Sequence, residues 1–495
     1  MRDAGEPRRP RGRASRPLCA AAAVALALAL PAAAQERFRR TPPLPEAQRL
    51  DLKLPAIETY ILANGLAVAT ARLPESRVVT LQLVIRAGEA DSPVDRPGLA
   101  AMTARMIGKG TKMLSADYLE NMIESLGAKL TVSVFMDYTV LTMNVLDEYL
   151  DRAIYILRLI TLEASFSERE LGAVRRGAFW ELYEQKRNPE VLGWRQILGA
   201  LFEGHPYGVA TYNEDVIKFI TRRDVMSFYG RFYRPGNAVV LVSGNIDGEA
   251  TSLKVASHFG AWTGAAPDRP APPPPASNDR ERICYVEAPD QTAATVFAGN
   301  VIMRSSDPEF FPFLVLKQVL GGTTGSRLFM SLRESKGYAS YAFSEMEMFR
   351  SCGVYWARAM VRPEATVPAV REILREIAAL AAGQAVPSEI EEAKSYLIGS
   401  LPLRFEAPGG FADWMARYVA LDLGPGQWDK GPEELMLVDF ERARETARKY
   451  LAPRPVVVIV GRPEWVETYL GELDTVEIYD TGGQLKRVAR KGEKP

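Results

Sequence analysis

The stretch Gly98–Thr111, GLAAMTARMIGKGT, has the glycines and apolar residues of a short buried helix followed by a turn. Ala101 and Ala104 carry no side-chain atom that could bind a metal ion. Arg105 is a permanent cation, which repels a divalent metal. The segment therefore offers no side chain for metal binding.

The same stretch resembles the signature helix of the inverted-zincin peptidases, the pitrilysin/insulinase family. That helix runs Gly-Leu-Ala-His-x-x-Glu-His-Met and precedes a Lys-Gly-Thr-like segment. In the motif, two histidines four residues apart bind one zinc ion, and the glutamate polarises the zinc-bound water. The first histidine falls on Ala101, the glutamate on Ala104 and the second histidine on Arg105. The resemblance implies a peptidase scaffold that has lost its catalytic residues.

The family's third zinc ligand, a glutamate on a later helix, falls on Glu181. A zinc site needs about three protein ligands, so one residual carboxylate is not enough. We expect no cofactor in this chain. We hypothesise that Arg105 and Glu181 form an ion pair in place of the lost metal charge. The alternative is that solvent surrounds both side chains.

The histidine content agrees with a metal-free chain. Only His205 and His258 occur in the whole sequence. His205 lies in the turn-like segment GHPYG, and His258 lies in an amphipathic helical pattern. We expect a structural role for both.

The N-terminal segment has the pattern of a secretory signal peptide. A basic stretch, Met1–Arg16, precedes an apolar run, Leu18–Leu30, and Pro-Ala-Ala-Ala follows before Gln35. We predict a signal peptide over 1–34 and a mature chain that is periplasmic or secreted. An uncleaved anchor is the alternative, but the apolar run is short for a membrane-spanning helix.

Three cysteines bear on the redox state of the protein. Cys19 lies in the predicted signal peptide, which leaves Cys284 and Cys352 in a compartment where disulfides persist. Both lie in apolar, strand-like segments, a context that favours buried free thiols. The sequence alone leaves a disulfide between them open.

Length and charge limit the possible functions. The chain has 495 residues, with 61 Lys+Arg and 61 Asp+Glu. A chain of this length exceeds one ordinary hydrophobic core and predicts at least two domains. Because the charges balance, no overall field points to nucleic acid or an anionic membrane.

A Pro-rich segment divides the predicted mature chain into two similar halves. It contains APPPPAS at 271–277, which is typical of a semi-rigid, extended linker. The predicted domains are an N-terminal lobe, a linker, a C-terminal lobe and a flexible tail, at 35–262, 263–281, 282–480 and 481–495. The halves close on similar apolar runs, VVLVSG at 239–244 and VVVIVG at 456–461, which indicate buried strands.

Strand patterns precede helix patterns within each half. This segregation predicts an α+β fold of two homologous sandwich lobes. Each lobe should contain a largely antiparallel sheet with packed helices, and the linker should join the lobes as a clamshell.

The second half also resembles the family, through LGG at 320–322 and LRESKGY at 332–338. In relatives, an arginine and a tyrosine after the Gly-Gly segment bind the substrate backbone. Arg333 matches the arginine, whereas the tyrosine position falls on Ser340, between Tyr338 and Tyr341. Strand geometry predicts Tyr338 on the face of Ser340 and Tyr341 on the opposite face. The alternative for Arg333 is local pairing with Glu334.

Three function hypotheses follow from these residues. The first is a subunit that is not an enzyme by itself, binds peptide and partners a zinc-bearing homologue in a periplasmic protease complex. The second is a non-proteolytic peptide-binding or scaffold protein of the cell envelope. The third, a hydrolase using other residues, lacks a Cys/His pair or a Gly-x-Ser-x-Gly elbow in the sequence.

Overall fold

Two β-sheets, one in each half of the chain, organise the computed structural model. The structure describes residues 54–208, 214–270, 272, 273, 275, 282–406, 409–423 and 430–491. The predicted signal peptide, 1–34, lies outside these residues. All described residues belong to one structural unit that begins at Leu52.

The first sheet has six strands in the order β1-β2-β6-β3-β5-β4. These are β1 (Ile57–Ile61), β2 (Ala67–Arg72), β3 (Val78–Ile85), β4 (Thr131–Val134), β5 (Thr139–Leu146) and β6 (Ala238–Gly244). Only β2 and β6 pair in parallel among these strands.

The second sheet has seven strands in the order β13-β12-β7-β11-β8-β10-β9. These are β7 (Arg282–Glu287), β8 (Ala294–Ile302), β9 (Ala339–Met348), β10 (Gly353–Val361), β11 (Val456–Gly461), β12 (Thr475–Tyr479) and β13 (Leu485–Arg490). Strand β7 pairs in parallel with β11 and β12, and the other pairs are antiparallel. Two largely antiparallel sheets with packed helices confirm the predicted fold class.

Helices accompany both sheets. In the first half they are α1 (Leu99–Met106), α2 (Ala116–Glu124), α3 (Leu150–Leu162), α4 (Glu168–Gln185), α5 (Pro189–Leu201), α6 (Glu214–Phe219), α7 (Arg222–Phe232) and α8 (Gly248–Phe259). In the second half they are α9 (Phe310–Gly321), α10 (Arg327–Phe329), α11 (Thr366–Ala381), α12 (Pro387–Gly399), α13 (Leu401–Glu406), α14 (Gly410–Ala420), α15 (Gly431–Met436), α16 (Phe440–Tyr450) and α17 (Glu464–Tyr469). A π-helical segment, Met330–Ser335, continues α10. Within the described ranges, no helix combines the length and apolarity needed to cross a bilayer.

Side-chain caps fix where several helices begin. Ser115, Ser167, Thr221, Asp247 and Asp439 each accept a hydrogen bond from the backbone N–H three residues later. These residue types cap helix N-termini because their oxygens satisfy N–H groups that have no partner within the helix. The local sequence therefore sets the starts of α2, α4, α7, α8 and α16.

Each sheet is covered on one face by a helix from the other half of the chain. In β11, Val457 and Ile459 face one hydrophobic core, while Val456, Val458 and Val460 face another. The latter core also contains residues of α5, which comes from the first half. Reciprocally, α14 from the second half packs on the first sheet, on the face opposite the core that contains Val240 and Val242. The two lobes therefore share core residues on either side of the predicted linker.

The described part of the linker is tied to its neighbours. The Arg269 guanidinium donates to both Asp91 carboxylate oxygens, at 2.8 and 2.7 Å, and only 10% of its side-chain surface is exposed. Arg350 donates to the carbonyl of Pro270 at 3.2 Å. The sequence predicted almost no linker side chain in the protein interior, and Arg269 is an exception because Asp91 neutralises its charge.

The prediction of a flexible tail over 481–495 is wrong for Leu485–Arg490, which form β13. This strand pairs antiparallel with β12, from Thr475↔Arg490 to Tyr479↔Leu485. Five of its six residues are exposed and three are basic, as is typical of an edge strand. The polar sequence resembled a tail, although the backbone completes a sheet.

Candidate functional site

Helix α1 begins where two polar side chains bind its first N–H groups. Gly98 precedes it with a φ of 82°, a left-handed conformation that suits glycine. Ala100 N–H donates to Ser92 Oγ at 3.0 Å, and Ala101 N–H donates to Glu89 Oε1 at 3.2 Å. The 89–92 loop therefore holds the start of the helix that carries the motif.

The Glu89 carboxyl group lies in an environment that disfavours its charged form. Burial raises its pKa to about 7, although the hydrogen bond from Ala101 and the Arg105 charge both act to lower it. Its position at the positive end of α1 also favours the ionised form. Desolvation is nevertheless the largest influence.

The motif residues of α1 divide between the core and a cavity. Ala101 and Ala104 are 6% and 0% exposed and pack in the protein interior. Arg105, one position further, forms an ion pair with Glu181 on α4. The hypothesised Arg105–Glu181 pair is therefore confirmed, and the alternative of two merely solvated groups is wrong. Gln185 adds a hydrogen bond to the other Glu181 oxygen at 3.0 Å.

These residues do not fit a zinc ion. Alanine methyl groups and an arginine occupy three of the four motif positions, and Glu181 alone supplies a metal-binding atom. Across the described part of the chain, no group of three or more His, Cys, Asp or Glu side chains could hold a metal ion. A zinc site needs about three such ligands.

A cavity of about 790 Å³ opens beside the Arg105–Glu181 pair. Its walls come from α2, α4, the end of α1 and the residues that precede and form β4. Small residues, Ala173, Gly177 and Ala178, line the α4 side. The cavity therefore provides room for a ligand beside the ion pair.

A second cavity of about 600 Å³ lies between the two halves of the chain. It is lined by the end of α4, the start of α5 and Met360 of β10. Glu181 lines both cavities. Both residues of the ion pair therefore line the first cavity, and Glu181 also lines the second.

Arg333 is largely exposed and lines neither of these cavities. It lies in the π-helical segment, with Nε 3.7 Å from Glu334 Oε1 and the guanidinium carbon 4.9 Å from the centre of the Phe329 ring. Side chains on both sides of it, Ser331 and Lys336, contact the buried carboxylate of Glu372. The local contact with Glu334 corresponds to the alternative considered from the sequence.

Tyr338 and Ser340 do not share a face, so the prediction from strand alternation is wrong. The register between β9 and β10 shifts where Met360 pairs with Tyr341 and Val361 pairs with Ala339. Ser340 is the extra residue of this bulge, which breaks the period of two. Ser340 is exposed and donates to the Met360 carbonyl at 3.3 Å, whereas Tyr338 packs against the second core.

Tyr341 of the second half forms a hydrogen bond with Glu190 of the first half. Its hydroxyl donates to Glu190 Oε1 at 2.8 Å, and Arg358 Nη1 lies 2.6 Å from Glu190 Oε2. Arg358 also contacts Glu345 at 3.2 Å and lies over the Tyr341 ring. Burial and the hydrogen bond to Glu190 raise the pKa of Tyr341. Because Glu190 lines the second cavity, Tyr341 supports the cavity wall.

Both histidines contact neighbouring protein groups, and both described cysteines are buried. His205 is 7% exposed; Nε2 lies 2.8 Å from the Pro273 carbonyl, and Nδ1 accepts from the Tyr207 N–H. His258 lies 3.4 Å from Asp151. Cys284 and Cys352 are both buried and free.

Sequence reasoning missed the second cavity and the residues that close it. Asn188 and Pro189 signal a helix start, and Asn188 Oδ1 accepts from the Glu190 N–H at 2.9 Å. That signal places Glu190 in the first turn of α5. The sequence contained no sign of its partners, because Tyr341 and Arg358 lie more than a hundred residues later.

Two family models match successive parts of the chain. The model described as Insulinase (Peptidase family M16) matches residues 67–215. The model described as Peptidase M16 inactive domain matches residues 220–397. Together they span most of the chain.

Individual proteins and solved structures are similar to this chain over most of their own length. An uncharacterized zinc protease of Mycobacterium leprae is 26% identical over 408 residues, which cover 81% of this chain and 90% of the relative. A Helicobacter pylori protease structure has a TM-score of 0.76 at 20% identity, covering 82% of this chain and 100% of that one. A peptidase M16 inactive domain from Pseudomonas fluorescens gives 0.76 at 19% identity, with 82% and 98% covered. The two structural matches support the fold.

Proposed function

Because the chain belongs to the insulinase (peptidase M16) family, we propose that it is a non-catalytic, peptide-binding subunit of a peptidase complex. The ion pair between Arg105 and Glu181 is the observation that carries this proposal. Arg105 neutralises the charge of Glu181, which occupies the position of the family's third zinc ligand. Arg105 itself occupies the position of the family's second histidine.

Hydrolysis in such a complex requires zinc from a second chain. A homologue with an intact His-x-x-Glu-His motif would supply the metal and polarise the attacking water. The chain described here would contribute binding energy by holding the peptide against that centre. We propose that both subunits are exported and meet in the periplasm, as the predicted signal peptide suggests.

The two cavities supply the volume for peptide capture. The cavities of about 790 and 600 Å³ share Glu181 and extend from α2 to β10. Pockets of this size suit side chains or short peptide segments. Arg333 remains a proposed contact to the peptide backbone, since its side chain is 49% exposed.

Co-expression with a zinc-bearing homologue from the same genome tests the proposal. We expect the two chains to copurify and the mixture to cleave a fluorogenic peptide at least about tenfold faster than the homologue alone, a change of ~1.4 kcal/mol in the barrier. A mixture that is no more active than the homologue would contradict the proposal.

A second candidate function is a non-proteolytic peptide-binding or scaffold protein of the cell envelope. The observation that favours it is the placement of Arg333, Tyr338, Ser340 and Tyr341, which line neither of the two cavities. Peptide binding by the isolated chain, with no effect on any homologue's activity, would support this second function.

A further inference from the structure

Two aromatic side chains stack on the exposed side of α4. The rings of Trp180 and Tyr183 have centroids 5.7 Å apart and planes inclined by 26°. Trp180 is 67% exposed and Tyr183 is 50% exposed. Single exposed apolar residues are common on protein surfaces, whereas contiguous exposed apolar residues often mark an interaction site.

An arginine from the next turn holds this aromatic pair in place. Arg187 Nη1 donates to the Tyr183 hydroxyl at 2.9 Å, and the guanidinium carbon lies 5.6 Å from the ring centre. The second half of the chain fixes Arg187 in turn. Its carbonyl accepts from Gln291 at 3.0 Å, and its Nε lies 3.7 Å from Asp290. The orientation of Tyr183 is therefore supported by both halves of the protein.

The aromatic pair lies next to residues that line both cavities, although Trp180 and Tyr183 line neither cavity themselves. Trp180 is one helical turn from Gly177, which lines the first cavity, and one turn from Glu184, which lines the second. A peptide that extends along α4 from the first cavity to the second would therefore pass Trp180.

The charges of the cavity walls favour a basic occupant. Described residues with carboxylates on these walls outnumber those with cations by seven to four. The carboxylates are Asp117, Glu120, Glu124, Glu170, Glu181, Glu184 and Glu190, and the cations are Arg105, Lys109, Lys129 and Arg187. Complementary charge steers and orients a ligand more than it adds affinity.

We propose that the Trp180–Tyr183 pair, which we name the aromatic shelf, binds an arginine side chain of an extended peptide lying in the two cavities. A planar guanidinium stacks on an aromatic face and keeps its donors free for nearby carboxylates. Glu184, four residues after Trp180 on α4, carries such a carboxylate beside the shelf. Arg187 already makes the same kind of contact with Tyr183 inside the chain. This inference rests on the proposed peptide capture and names the preferred side chain.

Fluorescence anisotropy with two defined peptides tests the aromatic shelf. The probes are a short fluorescein-labelled peptide of alanine, serine and threonine with one central arginine, and the same peptide with glutamine in that place. We expect the full chain to bind the arginine peptide more tightly. Trp180→Ala should weaken that binding by about fivefold and change the affinity for the glutamine peptide by less than about twofold.

Tyr396→Ala is the matched control, because Tyr396 is also 50% exposed but lies on α12 and lines neither cavity. It should change neither affinity, and Trp180→Phe should retain most of the preference. Circular dichroism of each variant checks that the fold is intact. If Trp180→Ala binds both peptides as the unaltered chain does, or weakens both equally, the shelf proposal is wrong while peptide capture stands. If the unaltered chain binds neither peptide, peptide capture itself is wrong.

Discussion

The Arg105 guanidinium on α1 forms an ion pair with the Glu181 carboxylate on α4, where the family's motif would place two ligands of one zinc ion. Both side chains remain partly exposed, at 30% and 43%. The pair neutralises the carboxylate at the cavity wall without a metal. Loss of two histidines and the motif glutamate has therefore left an electrostatically balanced site.

A double-mutant cycle should measure a modest coupling between these residues. We expect Arg105→Ala, Glu181→Ala and the double variant to give a coupling free energy of about 0.5–1 kcal/mol, because solvent screens a partly exposed pair. Urea unfolding at low and high salt provides the measurement. A coupling near zero at low salt would contradict the pairing seen in the structure.

Glu89 should make stability depend on pH. Because burial raises its pKa in the folded protein to about 7 from an ordinary value of 4.5, the folded state binds the proton more tightly. The stabilisation from this group is present at low pH and is lost as pH rises from about 4.5 to 7.

Glu89→Gln removes that titration. The stability of the variant relative to the unaltered protein should therefore increase between pH 5 and pH 8, by roughly 2–3 kcal/mol. Urea unfolding at several pH values measures the difference. A difference that stays constant over this range would show that Glu89 does not titrate there.

Two glycines of α5 should respond oppositely to alanine. A Cβ at Gly193 would lie 2.0 Å from Phe297 Cε2, and Phe297 is only 1% exposed. We expect Gly193→Ala to destabilise the protein by about 2–3 kcal/mol through overpacking of α5 on the second sheet.

Gly199→Ala is the matched control on the same helix, because no atom lies within 4 Å of its Cβ position. The higher helix propensity of alanine should stabilise it by up to ~1 kcal/mol. Thermal unfolding of both variants provides the comparison. Equal effects would contradict the close packing of α5 against β8.

Removal of the linker arginine should be costly. Arg269→Ala leaves the Asp91 carboxylate, 12% exposed, without its bidentate partner, which should destabilise the protein by about 3 kcal/mol. Arg304→Ala, which breaks an exposed pair with Asp307, should cost less than about 0.5 kcal/mol. Urea unfolding measures the free energy of unfolding of both variants. If Arg269→Ala lowers it as little as Arg304→Ala does, the linker does not anchor the fold.

Part of the site followed from the family resemblance. The Gly98–Thr111 stretch matched the altered motif, and the resemblance, which places Glu181 opposite that motif, allowed the pairing with Arg105 to be predicted. The strand-forming runs were predictable from local sequence, because side chains alternate between the two faces of a strand.

Other features depend on contacts that no local pattern contains. The bulge at Ser340 arises from pairing with β10 and moves Tyr338 to the core side. The reciprocal packing of α5 and α14 joins segments that lie far apart in the sequence. Strand β13 looked like a polar tail because backbone bonds to β12, rather than apolar side chains, hold it in the sheet.

Metal analysis of the purified chain tests whether the protein binds zinc. Ala101→His combined with Arg105→His, which restores two ligands beside Glu181, provides a positive control and should bind about one zinc ion per chain. The unaltered chain, treated identically with zinc and then dialysed, should retain none in stoichiometric amount. One zinc ion per unaltered chain would contradict the account of a metal-free subunit.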